Sequence, residues 1–256
     1  MLEPALRMMR CPKCQKTLHL AQTTMMTEEV IEGNIICDKG HRWQVRDGIP
    51  SMFHPGSPTQ HIVDRTQFYR DLLGIDMDKE KERLATYVPI EGPLRVLDTN
   101  LGSGSTYAAL SRQFEREMGR FNLHGIDSSF ELLQAARAMS REKGFNLTAV
   151  HGNVFNLPYQ SDSFHLVLAI GSINQLADKA AALREMWRVT TPEGHVLIVD
   201  EGLSPQMRKS DAGNEILKKR PSFGARPPIP DVPDKARDLE ITYVMKDAFY
   251  QLVFRK

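Results

Sequence analysis

Val96-Leu97-Asp98-Thr99-Asn100-Leu101-Gly102-Ser103-Gly104-Ser105 is the stretch that decides the fold. The apolar run that leads into it, residues 94–97, predicts a strand buried on both faces, and residues 107–114 predict an amphipathic helix. Gly102 and Gly104 remove side chains where the backbone must approach a ligand. A strand, a glycine-rich turn and a helix in this order are typical of a site for a nucleotide-like ligand.

A carboxylate follows the second predicted strand. Residues 121–127 end in Gly125-Ile126-Asp127, roughly twenty residues after the glycine turn. In a doubly wound sheet, a carboxylate at that position reaches the hydroxyls of a ribose. The glycine pair alone is equally typical of an ordinary tight turn, and the downstream carboxylate favours a binding site.

Two further pairs of segments complete the ordered series of motifs. In the first pair, residues 151–158 are followed by a strand-like run at 163–169. In the second pair, a helix-like run at 180–189 is followed by residues 191–200. With these motifs the chain resembles the class I S-adenosylmethionine-dependent methyltransferases, especially the small-molecule type of ubiquinone and menaquinone biosynthesis. The resemblance covers about residues 94–256. It implies an α/β, Rossmann-like domain with a mostly parallel sheet and an antiparallel last strand.

The resemblance also implies the cofactor, S-adenosyl-L-methionine. It places the cofactor against nine residues: Asp98, Asn100, Gly102 and Gly104 at the methionine end, Asp127 at the ribose, Asn153 and Val154 at the adenine, and Ala169 and Gly171 beside the sulfonium.

Three positions depart from the pattern of this family. Asn100 stands where glycine is usual, and asparagine tolerates a left-handed backbone better than most residues. Asn153 replaces an acidic residue, although its amide oxygen can still accept a hydrogen bond. Glu193 replaces the first glycine of a Pro-Gly-Gly turn. These departures leave open a noncatalytic binding module with a methyltransferase-like fold.

A second constellation lies near the N-terminus. The three cysteines of the chain all belong to Cys11-Pro-Lys-Cys14 and Cys37-Asp-Lys-Gly-His41. Three thiolates and an imidazole suit tetrahedral zinc, whereas an odd cysteine count does not suit disulfides. With four protein ligands, the predicted role of Zn²⁺ is structural. The metal ligands are therefore predicted to be Cys11, Cys14, Cys37 and His41, with His19 as the alternative fourth ligand.

The zinc-ligand order introduces a rival function. Residues 41–50 resemble a short zinc-ribbon module ending in Asp-Gly-Ile-Pro, and the whole arrangement also resembles the bacterial enzymes that methylate a guanine in ribosomal RNA. A small-molecule acceptor is favoured because the formal net charge is only +1, whereas RNA-binding enzymes usually carry a basic surface. RNA stays possible through a local patch of six residues: Arg208, Lys209, Lys218, Lys219, Arg220 and Arg226.

The 256 residues divide into three predicted parts: a zinc-ribbon module at 1–54, a linker and helical segment at 55–93, and the methyltransferase domain at 94–256. Residues 55–59 are predicted as linker and 62–87 as helical, with Phe68 in the core and Tyr69 near substrate or cofactor. The charged run 76–83 is predicted to be a solvated helix face. The Pro-rich residues 204–233 are predicted to be an irregular insertion, and residues 239–245 and 249–256 a hairpin at the sheet edge.

Other expectations concern chemistry and location. The sequence does not identify a catalytic base; the polar residues expected nearest the strand ends are His151, His165, Asn174 and Glu201. The chain contains no apolar run long enough for a membrane span and no signal-peptide core, so we predict a cytoplasmic enzyme. The zinc module is also a possible contact for a protein partner.

Overall fold

The computed structural model describes residues 3–26, 29–53, 66–84, 94–113 and 118–256. The predicted linker at 55–59 lies outside these residues, as do the ends of the predicted helical segment and the boundary at residue 54. Two sheets organise the described chain, one of four strands and one of seven.

The smaller sheet is N-terminal and antiparallel, in the order β1-β2-β3-β4. A short helix, α1 (Glu3–Leu6), precedes its four strands, which are β1 (Leu18–Met26), β2 (Glu29–Cys37), β3 (Arg42–Arg46) and β4 (Ile49–Pro50). Asp47 and Gly48 join β3 to β4 with φ of 49° and 69°. Two consecutive left-handed residues make the tight turn that matches the twist of a hairpin, which explains the Asp-Gly pair.

The larger sheet has the order β10-β11-β9-β8-β5-β6-β7. Its strands are β5 (Leu94–Asp98), β6 (Phe121–Asp127), β7 (Leu147–His151), β8 (Phe164–Ile170), β9 (Thr190–Glu201), β10 (Arg237–Val244) and β11 (Phe249–Arg255). Strands β5 to β9 are parallel, and β11 is antiparallel to both of its neighbours. The predicted Rossmann-like sheet, with its antiparallel last strand and edge hairpin, is therefore confirmed.

Helices connect these strands and precede the first of them: α2 (Thr66–Leu73), α3 (Met77–Leu84), α4 (Ser105–Gln113), α5 (Phe130–Glu142), α6 (Lys179–Val189) and α7 (Asp211–Lys219). The helical segment predicted before β5 is broken at Gly74, whose φ is 60°. The insertion predicted to be irregular contains α7, which Ser210 caps by accepting a hydrogen bond from the Gly213 N–H at 3.0 Å. That prediction was wrong because the flanking prolines obscured a nine-residue helix. Within the described chain, no helix has both the length and the apolar character needed to cross a bilayer.

The N-terminal module is joined to the free side of β7. Ser51 forms a parallel bridge with His151, and the Met52 N–H donates to the His151 carbonyl at 2.7 Å. Met9 forms a second bridge, with Tyr159, and both side chains are fully buried. Residues of the module and of the larger sheet belong to one hydrophobic core. The N-terminal module is thus packed directly against the larger sheet.

Candidate functional site

Five parallel strands end at one edge of the larger sheet. Their last residues are Asp98, Asp127, His151, Ile170 and Glu201. In open α/β sheets this carboxyl edge is where ligands bind. The predicted site residues are distributed along the loops that leave this edge.

Asp98 is wholly buried at the end of the central strand. Its Oδ1 accepts the Asn100 N–H at 2.9 Å, whereas no donor in the described chain meets its Oδ2 in hydrogen-bond geometry, although the Thr106 side chain is near enough to lower the pKa of the carboxyl. Burial raises the pKa of this carboxyl to about 6. A buried carboxylate oxygen without a donor is costly, so the position suits a ligand that supplies one.

The glycine turn leaves space beside Asp98. Gly102 has a φ of 55°, and a methyl group on its α-carbon would meet nothing within 4 Å. Gly104 has a different reason to be glycine: a methyl group there would lie 2.4 Å from Met139 Cε and 3.3 Å from Ala136 Cβ on α5. Gly102 therefore opens the turn, and Gly104 lets two helices pack.

Asn100 does not adopt the left-handed backbone for which asparagine was thought suitable, since its φ is not positive. Its side chain instead donates from Nδ2 to the Ile170 carbonyl at 3.1 Å. Asn100 thus links the turn after β5 to the end of β8. That prediction was wrong because the left-handed positions of this turn are the two glycines that follow.

Asp127 binds the turn to the second strand. Its Oδ2 accepts the Gly102 N–H at 2.8 Å, and its Oδ1 accepts the Ser129 N–H at 2.9 Å. A carboxylate has about four acceptor positions, so both oxygens retain capacity for ribose hydroxyls. The side chain is 8% exposed.

The Asn153 side-chain oxygen was expected to accept a hydrogen bond from a ligand, but it is already engaged. Its Oδ1 accepts the Phe155 N–H at 3.1 Å and starts a short 3₁₀ turn, while Nδ2 is buried without a hydrogen-bond partner in the described residues. The group left for a ligand is a donor. Val154, the next residue, is 2% exposed.

The loop after β8 has one open position. Gly171 has a φ of 72°, and a methyl group on its α-carbon would meet nothing within 4 Å. The Ala169 side chain faces the core and is fully buried, so only its backbone is available to the site. Asn174, further along, is engaged on three sides: its N–H donates to Asp200 Oδ2, its Nδ2 to the Glu201 carbonyl, and its Oδ1 accepts from the Tyr250 hydroxyl.

Helices α2 and α3 each bring one side chain to this edge: Tyr69, which was predicted near substrate or cofactor, and Lys81, which was not. Tyr69 on α2 is 6% exposed and donates to Glu201 Oε1 at 2.9 Å. Lys81 on α3 donates to Ser105 Oγ at 2.5 Å, and its charge acts to lower the pKa of Asp98 against the effect of burial. The prediction of a purely solvated face for residues 76–83 was therefore wrong at Lys81. Phe68, predicted for the core, is only partly buried.

Two of the other residues considered as bases are engaged by backbone groups. His165 is near the amino-terminal end of β8, where its Nδ1 accepts the Arg95 N–H at 3.0 Å. His151 is held between Ser51 Oγ and the Ser128 carbonyl, at 3.1 and 3.2 Å from its two ring nitrogens. Burial lowers the pKa of His151. Of the four candidates, Glu201 alone presents a side-chain oxygen to the space beneath α2.

The four predicted zinc ligands meet in the N-terminal module, with their ligand atoms all within 4.8 Å of one another. His41 Nδ1 lies 3.5 Å from Cys11 Sγ and 3.3 Å from Cys37 Sγ, and the Cys14 and Cys37 sulfurs are 3.7 Å apart. Tetrahedral zinc with bonds of about 2.0–2.3 Å places its ligand atoms about 3.4–3.8 Å apart. His19 lies outside this cluster and pairs with Asp38 at 2.6 Å.

Internal contacts occupy part of the predicted RNA-binding patch. Arg208 donates to the carbonyls of Leu203, Gly224 and Ala225. Lys218 pairs with Glu215 at 2.8 Å. The Arg220 guanidinium lies over the Phe68 ring, 4.9 Å from its centroid. These cations therefore have structural partners.

A family model described as "methyltransferase domain" matches residues 90–251. The chain belongs to this methyltransferase family. Among curated relatives, this chain is 30% identical over 122 residues to a ubiquinone/menaquinone biosynthesis C-methyltransferase of Bdellovibrio bacteriovorus, covering 48% of this chain and 50% of that enzyme. It is 25% identical over 162 residues to a demethylmenaquinone methyltransferase of Deinococcus radiodurans, covering 63% of each. A glycine/sarcosine/dimethylglycine N-methyltransferase of Actinopolyspora halophila is 23% identical over 201 residues, covering 77% of this chain.

The chain thus spans 50%, 35% and 63% of the lengths of these three relatives from Bdellovibrio, Actinopolyspora and Deinococcus. Among solved structures, Haemonchus contortus phosphoethanolamine N-methyltransferase 2 in complex with S-adenosyl-L-methionine has a TM-score of 0.57 at 16% identity, covering 81% of this chain and 61% of that one. An S-adenosyl-L-methionine-dependent methyltransferase from Methanococcus maripaludis has a TM-score of 0.55 at 20% identity, covering 75% and 90%. These likenesses establish the class I methyltransferase fold.

Proposed function

We propose that this protein transfers a methyl group from S-adenosyl-L-methionine to a small-molecule acceptor. The observation that carries the proposal is the buried Asp98 Oδ2, which lacks a donor beside the open turn at Gly102. An ammonium group is the donor that a buried carboxylate binds best, and the methionine end of the cofactor carries one.

The remaining unmet groups fit the same molecule. Asp127 retains acceptor capacity for the two ribose hydroxyls. The Asn153 Nδ2 donor suits an acceptor nitrogen of adenine, in place of the acidic acceptor usual in the family. Gly171 leaves room beside the sulfonium. When bound, the cofactor supplies an electrophilic methyl carbon, and the role of these residues is to hold it in line with the acceptor.

A small-molecule acceptor is favoured by the relatives, two of which are named for quinone biosynthesis and one for N-methylation of glycine and its derivatives. The contacts of Arg208 with backbone carbonyls and of Arg220 with the Phe68 ring weaken the alternative of a ribosomal RNA substrate, whereas the Lys218–Glu215 pair is exposed. The noncatalytic alternative gains nothing from Asn100, which stabilises the turn by bonding to Ile170.

We also propose that Cys11, Cys14, Cys37 and His41 bind a structural zinc ion. The donor set and the separations of its atoms support tetrahedral coordination, and four protein ligands leave no open position for catalysis. The ion would hold together a module whose four strands bury eight residues: Leu18, Val30, Ile35, Cys37, Trp43, Val45, Ile49 and Pro50.

One experiment tests the methyltransferase proposal against its alternatives. The zinc-loaded protein is titrated calorimetrically with S-adenosyl-L-methionine and then incubated with methyl-labelled cofactor and either a low-molecular-mass cell extract or unmodified ribosomal RNA. We expect saturable binding and label in the small-molecule fraction. Label in RNA alone would establish the rival substrate, and absence of cofactor binding would establish the noncatalytic module.

A further inference from the structure

A buried tyrosine phenol from outside the sheet lies against the last carboxylate of the site. Glu201 ends β9 and is wholly buried. Its Oε1 accepts the Tyr69 hydroxyl proton at 2.9 Å and lies 4.0 Å from Arg220 Nε. A carboxylate buried in this way needs polar or cationic partners, and Oε1 is the oxygen that both of these groups approach.

Aromatic rings surround the Tyr69 ring. Phe249 and Phe223 meet it edge to face, with centroids at 5.0 and 6.3 Å and interplanar angles of 85°. These two phenylalanines also contact each other at 5.7 Å. The result is a compartment shaped for a flat ring, with an acceptor of a hydroxyl proton at its inner end.

The compartment borders the loop predicted to lie beside the sulfonium. Asn174 connects the two, because its Nδ2 donates to the Glu201 carbonyl at 2.7 Å and its own segment follows Gly171 by three residues. The Gly171 N–H in turn donates to the Val199 carbonyl on β9 at 2.8 Å. The end of β9 that carries Glu201 is therefore tied to the loop where the methyl group would be presented.

Tyr69 belongs to α2, which precedes the sheet and is fastened to it near its C-terminal end. Lys246 Nζ donates to the Leu73 carbonyl at 2.8 Å. Tyr69 is thus a side chain on a peripheral helix that reaches into a site formed by the sheet. An acceptor that binds at Glu201 must share or take the position of its phenol.

We propose that the Tyr69 phenol occupies the acceptor position, that an acceptor with a hydroxyl on a flat ring displaces it, and that Glu201 accepts the acceptor's hydroxyl proton. This inference rests on the proposed methyl transfer. In the step, the O–H bond breaks and its proton passes to Glu201 Oε1. The oxygen then forms a bond to the methyl carbon as the sulfur–methyl bond breaks, leaving neutral S-adenosylhomocysteine.

The test uses p-cresol, which is the tyrosine side chain as a free molecule. In Tyr69→Ala, p-cresol refills the vacated space, so we expect it to raise the Tm of this variant more than that of the wild type, in which it must first displace the Tyr69 ring, with toluene giving less than half the shift. With S-adenosyl-L-methionine present, we expect 4-methylanisole from Tyr69→Ala and at least 100-fold less when Glu201→Gln is added. Tyr69→Leu serves as the second variant if Tyr69→Ala does not fold.

Cofactor binding is measured for each variant, and Tyr159→Phe is the matched control. It removes another fully buried tyrosine hydroxyl, one that contacts His124 at 3.3 Å, and should convert p-cresol no faster than the wild type. Variants that bind both cofactor and p-cresol but form no product would overturn the inference while leaving the proposed function intact. Product formation unaffected by Glu201→Gln, or equal stabilisation by toluene, would also overturn it. If the wild type does not bind S-adenosyl-L-methionine, the proposed function itself is refuted.

Discussion

The affinity for S-adenosyl-L-methionine should fall in mild acid because of Asp98. Burial places the pKa of this carboxyl at about 6, and only its charged form attracts the methionine ammonium. If protonation competes with binding at this one group, the apparent Kd is multiplied by 1 + 10^(pKa − pH). The factor is about 1.1 at about pH 7 and about 11 at about pH 5, a tenfold loss that corresponds to about 1.4 kcal/mol. The favourable contribution is therefore present above the pKa and is lost as pH falls through it.

Isothermal titration calorimetry across this pH range measures the effect. Methylthioadenosine is the matched ligand, since it has the same adenosine without the amino-acid chain, and its affinity should change less than twofold. Asp98→Asn should bind the full cofactor more weakly near neutral pH and without this pH dependence. If the wild-type affinity for S-adenosyl-L-methionine is constant, or if methylthioadenosine weakens equally, Asp98 does not bind the ammonium and the orientation proposed for the cofactor is wrong.

Three further predictions concern a buried histidine, the metal ligands and two glycines. Burial lowers the pKa of His124 to about 3, so the free energy of unfolding should fall by about 1.4 kcal/mol per pH unit below about 6.5. Between about pH 7 and about pH 5, urea unfolding of the double variant His124→Leu, Tyr159→Phe should show a fall in this free energy about 2 kcal/mol smaller than that of the wild type; equal falls would contradict the prediction. Cys37→Ser should release the metal and lower Tm, whereas His19→Ala should retain it, as metal analysis by mass spectrometry will show; retained metal in Cys37→Ser would exclude the ligand set. Gly102→Ala and Gly144→Ala should each cost about 1 kcal/mol, because both glycines have positive φ with open space around them, but only Gly102→Ala should weaken cofactor binding.

Local patterns were sufficient for much of the site. Asp98 and Asp127 are the last residues of strands whose apolar runs are evident in the sequence, and a parallel sheet brings such ends to one edge. The Cys/His cluster was equally predictable, because all three cysteines of the chain lie in two short motifs. The fold and these positions follow from residues close together in the chain.

Contacts between distant segments were not predictable in the same way. Nothing near Tyr69 indicates that its hydroxyl reaches Glu201, which lies 132 positions further along. Lys81 has the surroundings of a solvated helix, and only the packing of α3 on α4 brings it to Ser105. The Asn153 amide has two chemically different ends, and its orientation depends on the Phe155 N–H. These features depend on which helices and strands pack together. The hydrophobic periodicity of the sequence does not specify that packing.

The bridge between Ser51 and His151 has a consequence for folding. Strand β7 would otherwise leave a row of unpaired backbone groups at the side of the sheet, the kind of edge that pairs with other chains. The N-terminal module is synthesised first but acquires this partner only after about a hundred more residues emerge, a delay of about 5–20 s at typical translation rates. During that interval its apolar face lacks its partner. If the module binds zinc as proposed, the ion would keep it folded during this interval, and metal supply should then govern the yield of soluble protein as well as its final stability.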